Sequence, residues 1–299
     1  MMKPVERVNG IGASALDGQI IFDWRKTVWM SIMISGSLLA PFYFSISALC
    51  LFLSLSYLTL LLGHSVGMHR MMIHRSFQAA PPLRRVLIFM GVLVGMGGPS
   101  NIVRVHDIRD WAQRLPDCHD FFSHRRNYFK DVCWQLFCRF EFEREPVLIV
   151  EAQLANDTYI RIFDKYWPHI QIGFALILFS IGGISWVLWG CCLRVFVCVL
   201  GHWSVTYVCH NPGPGKWHVL GAGVQASNLQ LTEYLGGFLT HGECWHNNHH
   251  AFPESAQIGL EDGQFDPAWE VIKTLKKWGW VYNVGRPREK YAREDLVVK

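Results

Sequence analysis

Residues 242–253 read GECWHNNHHAFP, in which His246, His249 and His250 stand at i, i+3 and i+4. On an α-helix this spacing brings three imidazoles onto one face. Clustered imidazoles are a metal-ligand set. Flanking Trp245 and Phe252 argue against a merely solvated helix face. HRMMIHRSF contributes His69 and His74, and His106 and His210 follow in separate polar stretches. The candidate ligands are therefore seven imidazoles from four segments, with His64, His119, His124 and His202 in reserve. Seven nitrogens exceed the four of a structural zinc and call for two ions. Imidazole suits iron as well as zinc or copper, so the ligand type alone leaves the metal open.

The elements that must position these residues are apolar. Hydrophobic residues make up 51% of the 299 and charged residues 17%, with mean hydropathy +0.15. Thr27 to Gly63 contains no charged residue, and Ile170 to Cys209 contains only Arg194 and His202. A spanning helix needs about 20 apolar residues, so each tract has room for two. The expected fold is an all-α integral membrane protein with four transmembrane helices in two hairpins. The first hairpin would turn near Pro41 and the second near Gly190 to Arg194. A cytoplasmic helical cap would hold the histidines.

The expected organisation is a tail over 1–26, a first hairpin over 27–63, and a histidine-bearing interfacial and cap segment over 64–168. A second hairpin over 169–209 and a second cap segment over 210–299 complete it. The cytoplasmic flanks of spans carry the excess Lys and Arg. Arg25, Lys26, Arg70, Arg75, Arg84, Arg85, Lys216 and the Lys273–Lys277 stretch flank the tracts, while the hairpin tips are nearly uncharged. Both termini and every histidine cluster are thus expected on the cytoplasmic side. This distribution accounts for the net charge of +4 and asks for no nucleic-acid partner. Val86 to Gly98 is too short to span and is expected as an interfacial or re-entrant helix, whose GVLVGMGG suits close packing or a sharp bend rather than phosphate binding. The nine cysteines form no C-x-x-C pair and read as reduced packing residues. A two-metal centre at the mouth of a hairpin bundle suits oxidation of a greasy chain by O2.

The order of HRMMIHRSF, GGP before His106, His210 after the second apolar tract and GECWHNNHHAFP resembles the membrane fatty-acid desaturases of the acyl-CoA Δ9 type, over roughly residues 28–283. The resemblance implies two non-haem iron ions held by histidines. It also implies O2 as co-substrate and a fatty acyl chain, on CoA or a lipid, as the molecule that loses two hydrogens. No haem, flavin or ferredoxin cysteine motif is present, so the electrons are expected from an external ferredoxin, rubredoxin or cytochrome b5-type donor with its reductase. A donor with an acidic face would dock on the basic flanks. Alternatives are a di-iron hydroxylase and an altered membrane protein that binds lipid without catalysis.

Two positions depart from the family. Its second box, H-R-x-H-H, aligns with His106-Asp107-Ile108-Arg109-Asp110, so Arg and Asp stand for two imidazoles. The Asn expected four residues before the lone histidine is Thr206. Asp110, one helical turn from His106, is the expected replacement ligand, together with His119 or His64. Arg109 has no acceptor and is expected to pair with Asp107 or another carboxylate.

Overall fold

The computed structural model describes residues 5–229, 231, 233–287 and 294–299. It is mostly helical: α1 Trp24–Leu39, α2 Ile46–Leu58, α3 Pro81–Leu93, α4 Pro99–Arg114, α5 Asp120–Ser123, α6 Tyr128–Phe137, α7 Ala152–Ala155, α8 Thr158–Val187, α9 Arg194–Cys209, α10 Glu233–Thr240, α11 His246–Ala251 and α12 Pro267–Lys277. Among the described residues two continuous helical stretches are long and apolar enough to cross a bilayer, Ile46–Ile73 and Thr158–Cys209. Only 22% and 11% of their most apolar windows are buried within the protein, which does not suit core helices of a water-soluble domain.

A 3-10 turn at Ala40–Tyr43, with Pro41 at its start, separates α1 from α2. The second tract bends earlier than the sequence reading placed it. Gly183 takes φ 63°, ψ −158°, which only glycine adopts readily, while Leu188–Leu193 stays helical with π turns. The bend divides a stretch of 52 residues into two arms of roughly 40 Å, each close to a bilayer thickness. Arg194 is consequently not at a tip. It is fully buried and donates from Nε to the Gly190 carbonyl and from Nη1 to that of Leu93, tying α9 to the end of α3.

Among the described residues the fold departs from all-α through four two-stranded antiparallel ribbons. β1 Val8–Asn9 pairs with β5 Val147–Leu148, and β2 Gly18–Phe22 with β4 Cys138–Phe142. β3 Gln78–Ala79 pairs with β7 Val281–Tyr282, and β6 Trp217–Val219 with β8 Leu296–Val298. The stretch from Arg7 to Phe22, expected as part of a tail, is therefore anchored. Buried Arg7 reaches Asp107 at 2.9 Å and Glu151 at 2.8 Å and donates to the carbonyls of Met72 and Ile73.

Beyond α2 the helix widens into π turns over Thr59–Ile73 and packs closely on α3. A Cβ at Gly63 would lie 2.3–2.5 Å from the backbone of Met90 and Gly91, so glycine permits that approach. The bend that GVLVGMGG predicts is present, with Gly95 and Gly97 at φ 87° and 131° between α3 and α4.

Candidate metal centre

The π winding decides where three histidines point. Five residues of α-helix rotate a side chain by roughly 140° from its starting face, whereas turns closed by i→i+5 hydrogen bonds stack residues five apart. The His74 amide donates to the His69 carbonyl at 3.0 Å, which is such a bond. The His64 and His69 rings are accordingly near-parallel at 6.2 Å, and His69 and His74 lie 4.8 Å apart. α4 carries His106 to this face, α9 ends at His210, and α11 carries His246, His249 and His250.

The seven imidazoles divide into two groups. His69, His74, His106 and His249 form one, and His210, His246 and His250 form the other, with the nitrogens of each group within 4.8 Å of one another. In the first group His74 Nε2, His106 Nδ1 and His249 Nδ1 are buried without a hydrogen-bond partner among the described residues. In the second, the three Nε2 atoms stand 3.1–3.3 Å apart. An ion about 2.1 Å from each of three ligands at right angles would hold them roughly 3.0 Å apart, so this triangle is near one face of an octahedral site. His210 Nδ1 faces the Thr206 carbonyl at 2.8 Å, which makes it the donor and leaves the Nε2 lone pair free for a metal. Both groups fit histidine-held iron.

The electrostatics favour lone pairs over protons. Burial pushes His74, His210, His246 and His249 well below the ordinary imidazole range, and His250 to about 4. Burial would also lower His106, but the Asp110 and Asp107 carboxylates outweigh it and raise that ring. Glu243 lies 2.8 Å from His69 Nδ1, 3.5 Å from Arg70, and bonds Ser65. Burial disfavours its charge, yet these neighbours hold its carboxyl well below the usual range. Such a carboxylate behind a ligand histidine orients the ring and raises its basicity. Arg70 continues inward to Asp266 at 2.9 and 3.0 Å, and Asp266 accepts from the amides of Ile258, Gly259 and Trp269. Glu243, Arg70 and Asp266 escaped the sequence reading. Glu243 sits inside GECWHNNHHAFP, three residues before His246, and Arg70 inside HRMMIHRSF beside His69, so both had a local signal that Asp266 lacks.

The altered second box is resolved into two different environments. Asp110 is 3.9 Å from His106 and 3.8 Å from Arg114. Against the opposing effect of burial, His106, His250, Arg114 and His246 hold it at about 2, so its charge faces both groups. Arg109 does not pair with Asp107, which Arg7 occupies. It is buried, with its guanidinium 4.5 Å over Trp203 and Nη2 3.0 Å from Gln135 Oε1. Burial draws its pKa down to about 10, with Asp131 and Asp110 opposing.

His119 joins neither group. Its ring lies 4.8 Å from Phe140 and its Nδ1 accepts from the Phe121 amide, capping α5. His64 also stands outside both groups and meets His202 edge-on at 4.5 Å. Those two rings, with His106 and Arg109, line a cavity of about 1070 Å³ whose apolar walls include Met30, Trp29, Leu136, Val199 and Trp203. The Thr206 hydroxyl is spent on the His202 carbonyl, and it is the Thr206 backbone that orients His210.

The sequence pattern of the family described as "Fatty acid desaturase" matches residues 27–283. The chain is 32% identical to an sn-1 stearoyl-lipid 9-desaturase of Anabaena variabilis over 88% of this chain and 93% of that one. It is 30% identical to an sn-2 palmitoyl-lipid 9-desaturase of Nostoc sp. (strain 36), over 86% and 88% respectively. It is 26% identical to an icosanoyl-CoA 5-desaturase of Limnanthes douglasii, over 89% and 73%. With its histidine groups and its two apolar helical stretches, the chain belongs to the fatty acid desaturase family, oxidoreductases acting on fatty acyl chains.

Proposed function

We propose that this desaturase removes two hydrogens from adjacent carbons of a saturated acyl chain. O2 and two electrons from an external ferredoxin, rubredoxin or cytochrome b5-type protein would be consumed, with two protons, to give the alkene and two waters. The observation that carries this reading is the mostly apolar cavity of about 1070 Å³ whose lining includes His106, a member of the four-histidine group. Its size is at the upper end of small-molecule sites, and its aromatic and aliphatic walls suit an alkyl chain better than a polar metabolite.

His69, His74, His106 and His249 would hold one iron, and His210, His246 and His250 the other, with Asp110 facing both. Iron bound there supplies O2 activation and the oxidising power for hydrogen removal. The chain's own residues position the reacting groups. Glu243 and the Thr206 carbonyl fix ring orientations, Trp203, Val199 and Leu136 keep water from the alkyl chain, and buried Arg109 occupies volume without competing for metal. His64 and His202 would contact substrate rather than iron. We place four spans, α1 and α2 with their extensions and the two arms about Gly183, so that the histidine groups and both termini lie on the cytoplasmic side.

Fatty acid profiling of cells that express the chain tests the activity. A product two mass units lighter than its saturated precursor, absent with His249→Ala, is expected; a product heavier by one oxygen, or identical profiles, would refute desaturation.

A further inference from the structure

The three-histidine group has fewer imidazoles than its neighbour, and an unused one lies beside it. His124 is fully buried, and its ring sits 5.4 Å from that of His210 at an interplanar angle of 27°. Ring separations inside the group are 4.7–5.1 Å, so His124, which stands just outside that cluster, is a few tenths of an ångström farther from His210 than His250 is. Its Nδ1 faces both oxygens of fully buried Asp131, at 3.0 and 3.1 Å, and its Nε2 has no hydrogen-bond partner among the described residues. A buried nitrogen without a partner is costly to leave unpaired, and a carboxylate behind a histidine is the arrangement that prepares the opposite nitrogen for a metal.

We propose that His124, held by Asp131, is the fourth imidazole of the His210, His246 and His250 site and replaces one of the two imidazoles that Arg109 and Asp110 displaced. The proposal rests on the two-ion reading above. Several contacts supply the alignment. Asn211, next to His210, donates from Nδ2 to the His124 carbonyl at 3.0 Å, which ties the two backbones together. His124 takes the left-handed conformation, φ 55° and ψ 29°, as the C-cap of α5, with its amide donating to the Asp120 carbonyl. Asp131 faces Arg109 as well, so the buried arginine is balanced by a carboxylate before any ion enters. The notable feature is a division of labour: Arg109 fills the space of a lost ligand, and a histidine fifteen positions along the chain supplies the lost nitrogen.

The test is iron content per chain in protein loaded with iron and purified in detergent. His124→Asn is the informative variant, because the asparagine amide can take the place of Nδ1 and still donate to Asp131, while nothing remains at Nε2. Iron is expected to fall from about two per chain to about one, and His124→Gln, whose amide reaches the Nε2 position, should recover part of the loss. His74→Ala combined with His124→Asn should bring iron near zero. Two irons in both the unmodified chain and His124→Asn would overturn the assignment alone. A single iron in the unmodified chain, removed by His74→Ala and untouched by His246→Ala, would overturn the two-ion reading and this assignment with it. Should His124→Asn not fold, Asp131→Asn is read under a chelator: loss of the second iron at tenfold or more lower chelator concentration is expected, and an unchanged curve would overturn the proposal.

Discussion

Glu243 touches both kinds of problem that this site must solve. It lies behind His69 as a charge partner, and it helps to balance Arg70, which is almost fully buried. Replacing it with Gln keeps the size but removes the charge, so His69 loses the group that orients it while Arg70 keeps Asp266. Iron affinity of the four-histidine group should fall on the order of 10- to 100-fold, as for other losses behind a metal ligand. A chelator titration read by iron content checks this, and an iron at the proposed His210, His246 and His250 site should be released at its original chelator concentration. A uniform loss of both ions would mean that Glu243 supports the fold rather than His69.

At the scale of elements, the π turns of Thr59–Ile73 are what convert an i, i+5 histidine spacing into one functional face. Their position against α3 depends on Gly63, whose missing side chain lets the helix meet the Met90 backbone. Gly63→Val would set a branched side chain against immovable backbone, a form of overpacking that costs about 1–3 kcal/mol and shifts the helix that carries His64, His69 and His74. The expected result is a lower melting temperature in detergent together with reduced iron. Gly173→Ala is the matched control, because nothing lies within 4 Å of its added carbon and alanine favours the helix. Equal melting temperatures for the two variants would remove this account of the α3 contact.

For the whole molecule, the decisive quantity is the number of crossings. The bend at Gly183 and the turn at Ala40–Tyr43 each separate two apolar helical lengths, and basic residues gather at the outer ends of both pairs. Charge of this distribution fixes orientation in the bilayer. A topology reporter fused at residue 42 should therefore give the opposite signal to one fused at residue 299. Identical signals would rule out four spans and the shared cytoplasmic face for the histidine groups.

Much of this was legible locally. An i, i+3, i+4 histidine triplet must share a helix face, a charge-free tract from Thr27 to Gly63 must avoid water, and glycines in GVLVGMGG permit a bend because they lack Cβ. Those conclusions depend on covalent geometry and transfer free energy, which a short stretch carries by itself. The ribbons were not legible, because a five-residue strand such as Gly18–Phe22 has its register set by Cys138–Phe142, more than a hundred residues away. Nor was the split of the histidines into groups of four and three, since His249 and His250 are neighbours in sequence yet serve different groups. His119 and His124 make the same point at one residue's scale. Both follow the altered box and look alike as ligands, but packing turns His119 onto Phe140 as a helix cap and seals His124 against Asp131 with one nitrogen unpartnered. Sequence determined which chemistry the chain carries, because that depends on residue types at short spacing; only tertiary structure decided which imidazoles converge, because convergence depends on contacts between segments far apart in the chain.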